Sequence, residues 1–113
     1  VTGLTGSPGI APYGTSKHAV IGLMRAAAKE GAEKNIRVNT VNPSPVETRM
    51  MRSLEEGLMP GEANEAKTML EANIPLGRYA MPTDVAKLIL FLSSEDSSFI
   101  TGSVYTVDGG STA

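Results

Sequence analysis

The stretch YGTSKHAVIGLMRAAAKEGAEKNIRVNTV, residues 13–41, joins two periodicities. From about Tyr13 to Glu33 the apolar residues Ala19, Val20, Leu23, Met24 and Ala27 recur three and four positions apart, the spacing of one helix face. Ala26-Ala27-Ala28 favours helix and lets a neighbour pack closely. Gly31 and Asn35 are stop signals. Ile36-Arg37-Val38-Asn39-Thr40-Val41 then alternates apolar and polar and is β-branched, which predicts a strand.

Outward from that core, Val1 to Pro12 carries Gly3, Gly6, Pro8, Gly9 and Pro12, a loop composition. Asn42-Pro43-Ser44-Pro45 ends the strand. Glu47 to Ile74 is charged, Met-rich and interrupted at Pro60-Gly61, which predicts two short helices with a mobile connection. Pro82 opens a further helix with Thr83 and Asp84 in its first turn, and Val85, Leu88, Ile89 and Leu92 form its buried stripe. Ser93 to Ser98 is a polar turn, Ser103 to Val107 a second strand, and Asp108-Gly109-Gly110 turns the chain out of it. The fold class is α/β with a parallel sheet. Two strands are too few for such a sheet, so the pattern reads as part of a larger architecture.

With 113 residues, 41% hydrophobic and 19% charged, the chain suits one small globular unit. A net charge of −2 gives no reason to expect nucleic acid or an anionic membrane as partner. No apolar run approaches membrane-spanning length. The absence of cysteine excludes disulfides and thiolate chemistry, and His18 alone builds no metal site. The chain opens on Val1 and shows no signal peptide, so a cytoplasmic home is the default expectation.

Tyr13-Gly14-Thr15-Ser16-Lys17 places a phenol and an amine four positions apart, on one helix face. A phenol is a poor base near neutrality, but a nearby ammonium favours the phenolate. The pair therefore suits general acid/base work. The alternative is an exposed Tyr and Lys on a helix surface, and the spacing alone does not separate the two.

The context does. In order along the chain stand Gly3-Leu4-Thr5-Gly6-Ser7-Pro8, Tyr13 to Lys17 with Ser16, Ile36-Arg37-Val38-Asn39 and Pro43, and Val46-Glu47-Thr48. Then come Pro75-Leu76-Gly77-Arg78, Pro82, Asp84, Phe91-Leu92, Ser94, Ile100-Thr101-Gly102 and Val107-Asp108-Gly109-Gly110. This series resembles the C-terminal half of a short-chain dehydrogenase/reductase over essentially the whole chain. The resemblance implies the C-terminal part of a Rossmann-type doubly wound parallel sheet. It also implies an enzyme that uses NAD or NADP to interconvert a secondary alcohol and a ketone. Tyr13 would exchange the proton with the substrate oxygen. Lys17 would hydrogen-bond the nicotinamide ribose and favour the phenolate. The backbone of Val46 and the hydroxyl of Thr48 would meet the carboxamide, and Pro43 and Ser44 would shape the turn against the nicotinamide.

Two departures accompany the resemblance. The family usually has Gly after the proline placed at Pro43, whereas Ser44-Pro45 stands here. Ser44 adopts positive φ less readily, and a following Pro favours extended geometry, so a shifted backbone is expected. No Gly-rich phosphate loop is present, because no strand precedes Gly3, Gly6 and Gly9. The family's catalytic Ser and Asn would lie upstream of Val1. Ser7 is too close to Tyr13 to be that Ser, though it could line the substrate pocket. Residues 1–113 thus read as the C-terminal half of one domain, its N-terminal cofactor-binding half absent.

Other residues admit plainer readings. His18 is expected at the surface. Met50, Met51, Leu54, Leu58, Met59 and Met69 suit a substrate lid or ordinary packing equally. Arg49 and Arg52 read as solvated charges, and Asp108 as turn chemistry rather than a metal ligand. In the family the helix from Tyr13 and the last helix and strand meet copies of themselves, which implies a homo-oligomer, dimer or tetramer, acting on a small-molecule alcohol or ketone. The competing reading is a truncated, inactive product serving as an oligomerisation or interaction module. In either case the isolated 113-residue chain is expected to be inactive and to expose apolar surface.

Overall fold

The computed structural model describes all residues, Val1–Ala113. After an N-terminal loop come α1 (Ala11–Gly31), a 3-10 turn (Ala32–Lys34), β1 (Thr40–Pro43), α2 (Arg49–Leu58), α3 (Ala63–Ala72), α4 (Pro82–Ser93) and β2 (Val104–Val107). The two strands pair in parallel with Thr40 opposite Val104 and Pro43 opposite Val107.

α1 starts two residues earlier than the sequence suggests, because Pro12 fits the first helical turn, where no amide hydrogen is needed. It ends where expected. Asn35 takes the left-handed conformation (φ 56°) and returns its amide to the Ala32 carbonyl. The buried stripe of α1 is Ile21, Met24 and Ala28. Gly3 lets the first loop lie on that face, since a Cβ there would meet the Lys17 carbonyl oxygen at 2.9 Å and Ile21 Cδ1 at 3.1 Å.

β1 begins at Thr40, not Ile36, and runs through Pro43. Residues 37–39 bond to the loop before β2 instead of forming ladder. Val38 N donates to Thr101 Oγ1 (3.0 Å) and Gly102 N to the Val38 carbonyl (2.7 Å). Asn39 donates to the Ile100 carbonyl (3.1 Å) and accepts from Ser103 N (3.0 Å). Pro43 is tolerated because Thr40 N and Ser44 N are the donors toward β2. Alternation turns position 43 to the other edge, so its missing N–H costs the ladder nothing.

α4 begins on Pro82 as expected, with Asp84 accepting from Met81 N (2.8 Å) and Arg78 Nη1 (2.9 Å). Its anticipated stripe is only half-covered. Val85, Leu88 and Leu92 are partly buried and Ile89 is exposed, because no element of this chain packs over it. Leu23 (71% exposed), Leu90 (72%) and Phe99 are likewise bare. The accessible surface is 7557 Å², about a quarter above the roughly 5,900 Å² of a compact monomer of this mass. The radius of gyration is 15.9 Å, against about 13 Å for a compact domain. No helix is long and apolar enough to cross a membrane.

Asp108 closes β2 as a turn residue. Its buried carboxylate accepts from Gly110 N (3.0 Å), Thr112 N (3.1 Å) and Thr112 Oγ1 (2.5 Å). Burial opposes its ionised form, but these donors outweigh burial and hold it below the usual carboxylate range. Its stabilisation is therefore complete above the unfolded value of about 3.9 and is lost as pH falls through the lower folded value. Asp108→Asn is expected to cost about 1–2 kcal/mol at pH 7. The deficit relative to the parent should shrink below about pH 4. Urea midpoints at both pH values check this, and a deficit independent of pH would reject it.

Candidate active site

Tyr13 and Lys17 lie in the first two turns of α1, whose N-terminal end carries partial positive charge. The Lys17 ammonium stands 5.1 Å from the centre of the Tyr13 ring, over its face. Tyr13 is exposed, and its hydroxyl makes no hydrogen bond within the chain. Ser16 is exposed and donates to the Tyr13 carbonyl oxygen of its own helix (2.7 Å). His18 is exposed and bonds through Nδ1 to the Gly14 carbonyl oxygen of its own helix (2.9 Å), the surface role its spacing predicts.

The segment after β1 approaches the same end of α1. Val1 N donates to the Pro43 carbonyl oxygen (2.8 Å), and the Gly3 loop that follows lies on α1 at Lys17 and Ile21. Ser44 is buried with negative φ and continues the ladder through Ser44 N to the Val107 carbonyl (3.1 Å). Ser44 thus avoids the left-handed region that a Gly at this position would make accessible. Val46 forms a parallel bridge with Ala80. The bridging bonds run from Ala80 N to the Pro45 carbonyl (3.0 Å) and from Glu47 N to the Ala80 carbonyl (2.9 Å). Neither uses the amide or carbonyl of Val46, which remain free on the opposite side. Thr48 caps α2, its hydroxyl accepting from Met51 N at 3.4 Å.

A carboxamide needs one donor and one acceptor side by side, and the free Val46 amide and carbonyl offer both. The residues present thus fit the nicotinamide end of a dinucleotide. No strand, Gly-rich loop and helix succession cradles its phosphates. A concavity of about 380 Å³ has Ser44, Arg78, Asp84, Lys87, Thr106 and Asp108 among its walls, and Tyr13 and Lys17 are not among them. No group of three or more metal-ligating side chains forms.

One cluster escaped the sequence reading. Glu55 is fully buried beside Tyr79, with Arg52, Lys67 and Glu47 around them. Arg52 stays exposed, as expected of a solvated charge, and is in addition an ion-pair partner of Glu47 and Glu55. The spacings Arg52/Glu55 and Lys67/Glu71 were the only visible signal.

A family model described as enoyl-(acyl carrier protein) reductase matches residues 1–112. The 3-oxoacyl-(acyl-carrier-protein) reductase of Thermotoga maritima is 44% identical over 110 residues, 97% of this chain and 42% of that protein. A short chain dehydrogenase family protein from Francisella tularensis superposes with a TM-score of 0.94 at 34% identity, over 98% of this chain and 47% of that one. A 4-hydroxyisoleucine dehydrogenase solved with NADH superposes with a TM-score of 0.76 at 34% identity, over 98% of this chain and 42% of that one. The chain spans about two fifths of the length of the curated relatives it matches.

Proposed function

Because the chain belongs to the short-chain dehydrogenase/reductase family, we propose that it carries the proton-transfer half of a nicotinamide-dependent site that interconverts a secondary alcohol and a ketone. Its two parallel strands and flanking helices are the C-terminal part of that family's doubly wound sheet. The observation that carries the proposal is Lys17 stacked over Tyr13 at 5.1 Å, on an exposed helix face beside the Pro43–Thr48 segment. In the reductive direction Tyr13 Oη gives its proton to the carbonyl oxygen, and in the oxidative direction it takes the proton back. Lys17, over the Tyr13 ring at the N-terminal end of α1, places a positive charge beside the group that exchanges the proton. Val46 holds the carboxamide through its free amide and carbonyl, assisted by the Thr48 hydroxyl, while Pro43 and Ser44 fix the turn. When bound, NAD or NADP supplies or accepts the hydride at the carbonyl carbon.

Residues 1–113 make the C-terminal half of one such domain, with a small alcohol or ketone as substrate and a homo-oligomer as its assembly. The 3-oxoacyl group in the name of the Thermotoga relative carries a ketone of this kind. The protein as isolated from its source is expected to reduce a 3-oxoacyl thioester or a cyclic ketone with NADH or NADPH. Failure to couple nicotinamide oxidation to any member of a ketone panel would overturn the assignment.

The excess accessible surface supports a second reading, a half-domain that serves as an interaction module. Intact mass and cofactor titration separate the two. A native mass near 11.8 kDa with no cofactor binding favours the module. Micromolar cofactor affinity of the isolated chain removes it.

A further inference from the structure

α2 is packed inside out. Met50, Leu54 and Leu58, spaced four apart, are exposed on its outer face, while Glu55 on the inner face is 0% exposed. Apolar burial on this helix therefore contributes little to holding it in place. Ion pairs link its inner face to the rest of the chain. Arg52 Nη1 donates to Glu55 Oε2 (3.1 Å) and Arg52 Nη2 to Glu47 Oε1. Lys67 of α3 donates to Glu47 Oε2 (2.5 Å), lies 3.9 Å from Glu71 Oε1, and stands over the buried Tyr79 ring at 5.3 Å. The Tyr79 hydroxyl and Glu55 Oε1 are both buried beside this network. Burial first, and the adjacent Glu55 second, push the Tyr79 phenol up, so it stays neutral.

The cluster converges on one short segment. Glu47 is the common acceptor for Arg52 and Lys67, and its neighbours are Val46 and Thr48. We propose that Glu55 is a positioning residue. With Arg52 and Lys67 it forms an ionic clamp that fixes the α2–α3 pair against Tyr79 and, through Glu47, sets the backbone of Val46 and Thr48. The functional half of this proposal rests on the assignment of those two residues to the carboxamide. Because desolvation offsets much of its Coulombic gain, a buried ion pair is weak grounds for net stability, and the role proposed for this one is to hold geometry. Arg52, Lys67 and Glu47 are each partly exposed, so the outer part of the clamp is open to screening by salt.

Hydrogen exchange by mass spectrometry on the protein as isolated from its source, with no cofactor added, tests the clamp. In Glu55→Gln, amides of α2 and α3 are expected to exchange about ten-fold faster, with those of α1, β1 and β2 unchanged. Unchanged α2–α3 exchange in that variant overturns the clamp. Should Glu55→Gln accelerate exchange everywhere, the unsubstituted chain in about 1 M NaCl decides, where the Debye length is about 3 Å. Faster exchange confined to α2 and α3 supports the clamp there, and no change overturns it. A second arm uses the same protein. Glu55→Gln is expected to weaken nicotinamide binding about ten-fold while kcat at saturation changes less. A loosened α2–α3 pair with unchanged cofactor affinity overturns the assignment of Val46 and Thr48 and leaves the clamp standing.

Discussion

Tyr13→Phe is expected to lower kcat by about 10²- to 10⁴-fold, the usual contribution of a positioned acid or base. The change removes one oxygen and little else. The Tyr13 hydroxyl makes no hydrogen bond within the chain, and Ser16 bonds to the backbone carbonyl, which the variant keeps. The ring under Lys17 also remains, so the cation–π contact persists. Stability should thus stay within about 0.5 kcal/mol of the parent, as for surface substitutions generally. Nicotinamide affinity should be preserved, because the groups proposed to meet the carboxamide lie on the segment after β1. The check is a steady-state assay of the protein as isolated from its source, beside a cofactor titration and a thermal melt of the same variant. Full turnover by Tyr13→Phe would end the assignment. Lost turnover accompanied by lost cofactor binding would show that the residue holds rather than reacts.

The sequence carries this pair well because its geometry is local. Four residues on a helix bring Tyr13 and Lys17 together whatever the remainder of the chain does. The ends of α1 and α4 are legible for the same reason, through Asn35, Pro82 and Asp84. The start of β1 is not. Ile36 to Asn39 alternates like a strand, yet the partners of Val38 and Asn39 lie more than sixty residues away. Those long-range bonds pull the segment out of the ladder, and no local pattern encodes them. The burial of Glu55 was hidden too, since a Glu on a short helix ordinarily faces water. Ile89 shows the converse case. Its position in an apolar stripe predicts burial, but the surface that would cover it is not supplied by this chain.

Arg37→Ala is expected to destabilise the chain by about 3–4 kcal/mol, through loss of several charge-assisted hydrogen bonds to partly buried carbonyls. The guanidinium reaches across the fold from the residues before β1. Nη1 donates to the Ile100 carbonyl (3.1 Å), and Nη2 to those of Leu92 (2.8 Å) and Ser94 (3.3 Å). Leu92 lies in the last turn of α4, where carbonyls lack helical partners and negative charge accumulates. Ser97, itself fully buried, donates to the same Leu92 carbonyl at 2.9 Å but cannot supply the charge. Arg37 therefore caps α4, anchors the loop entering β2 and joins both to β1. With so few buried apolar residues elsewhere, a loss of this size is a large share of the whole stability. Arg37→Lys should recover only part of it, because one ammonium cannot match the fork that reaches three carbonyls. Urea unfolding of the two variants beside the parent measures both effects. If Arg37→Ala unfolds within about 1 kcal/mol of the parent, the carbonyls must find other donors, and the guanidinium is not what ties α4 to the sheet.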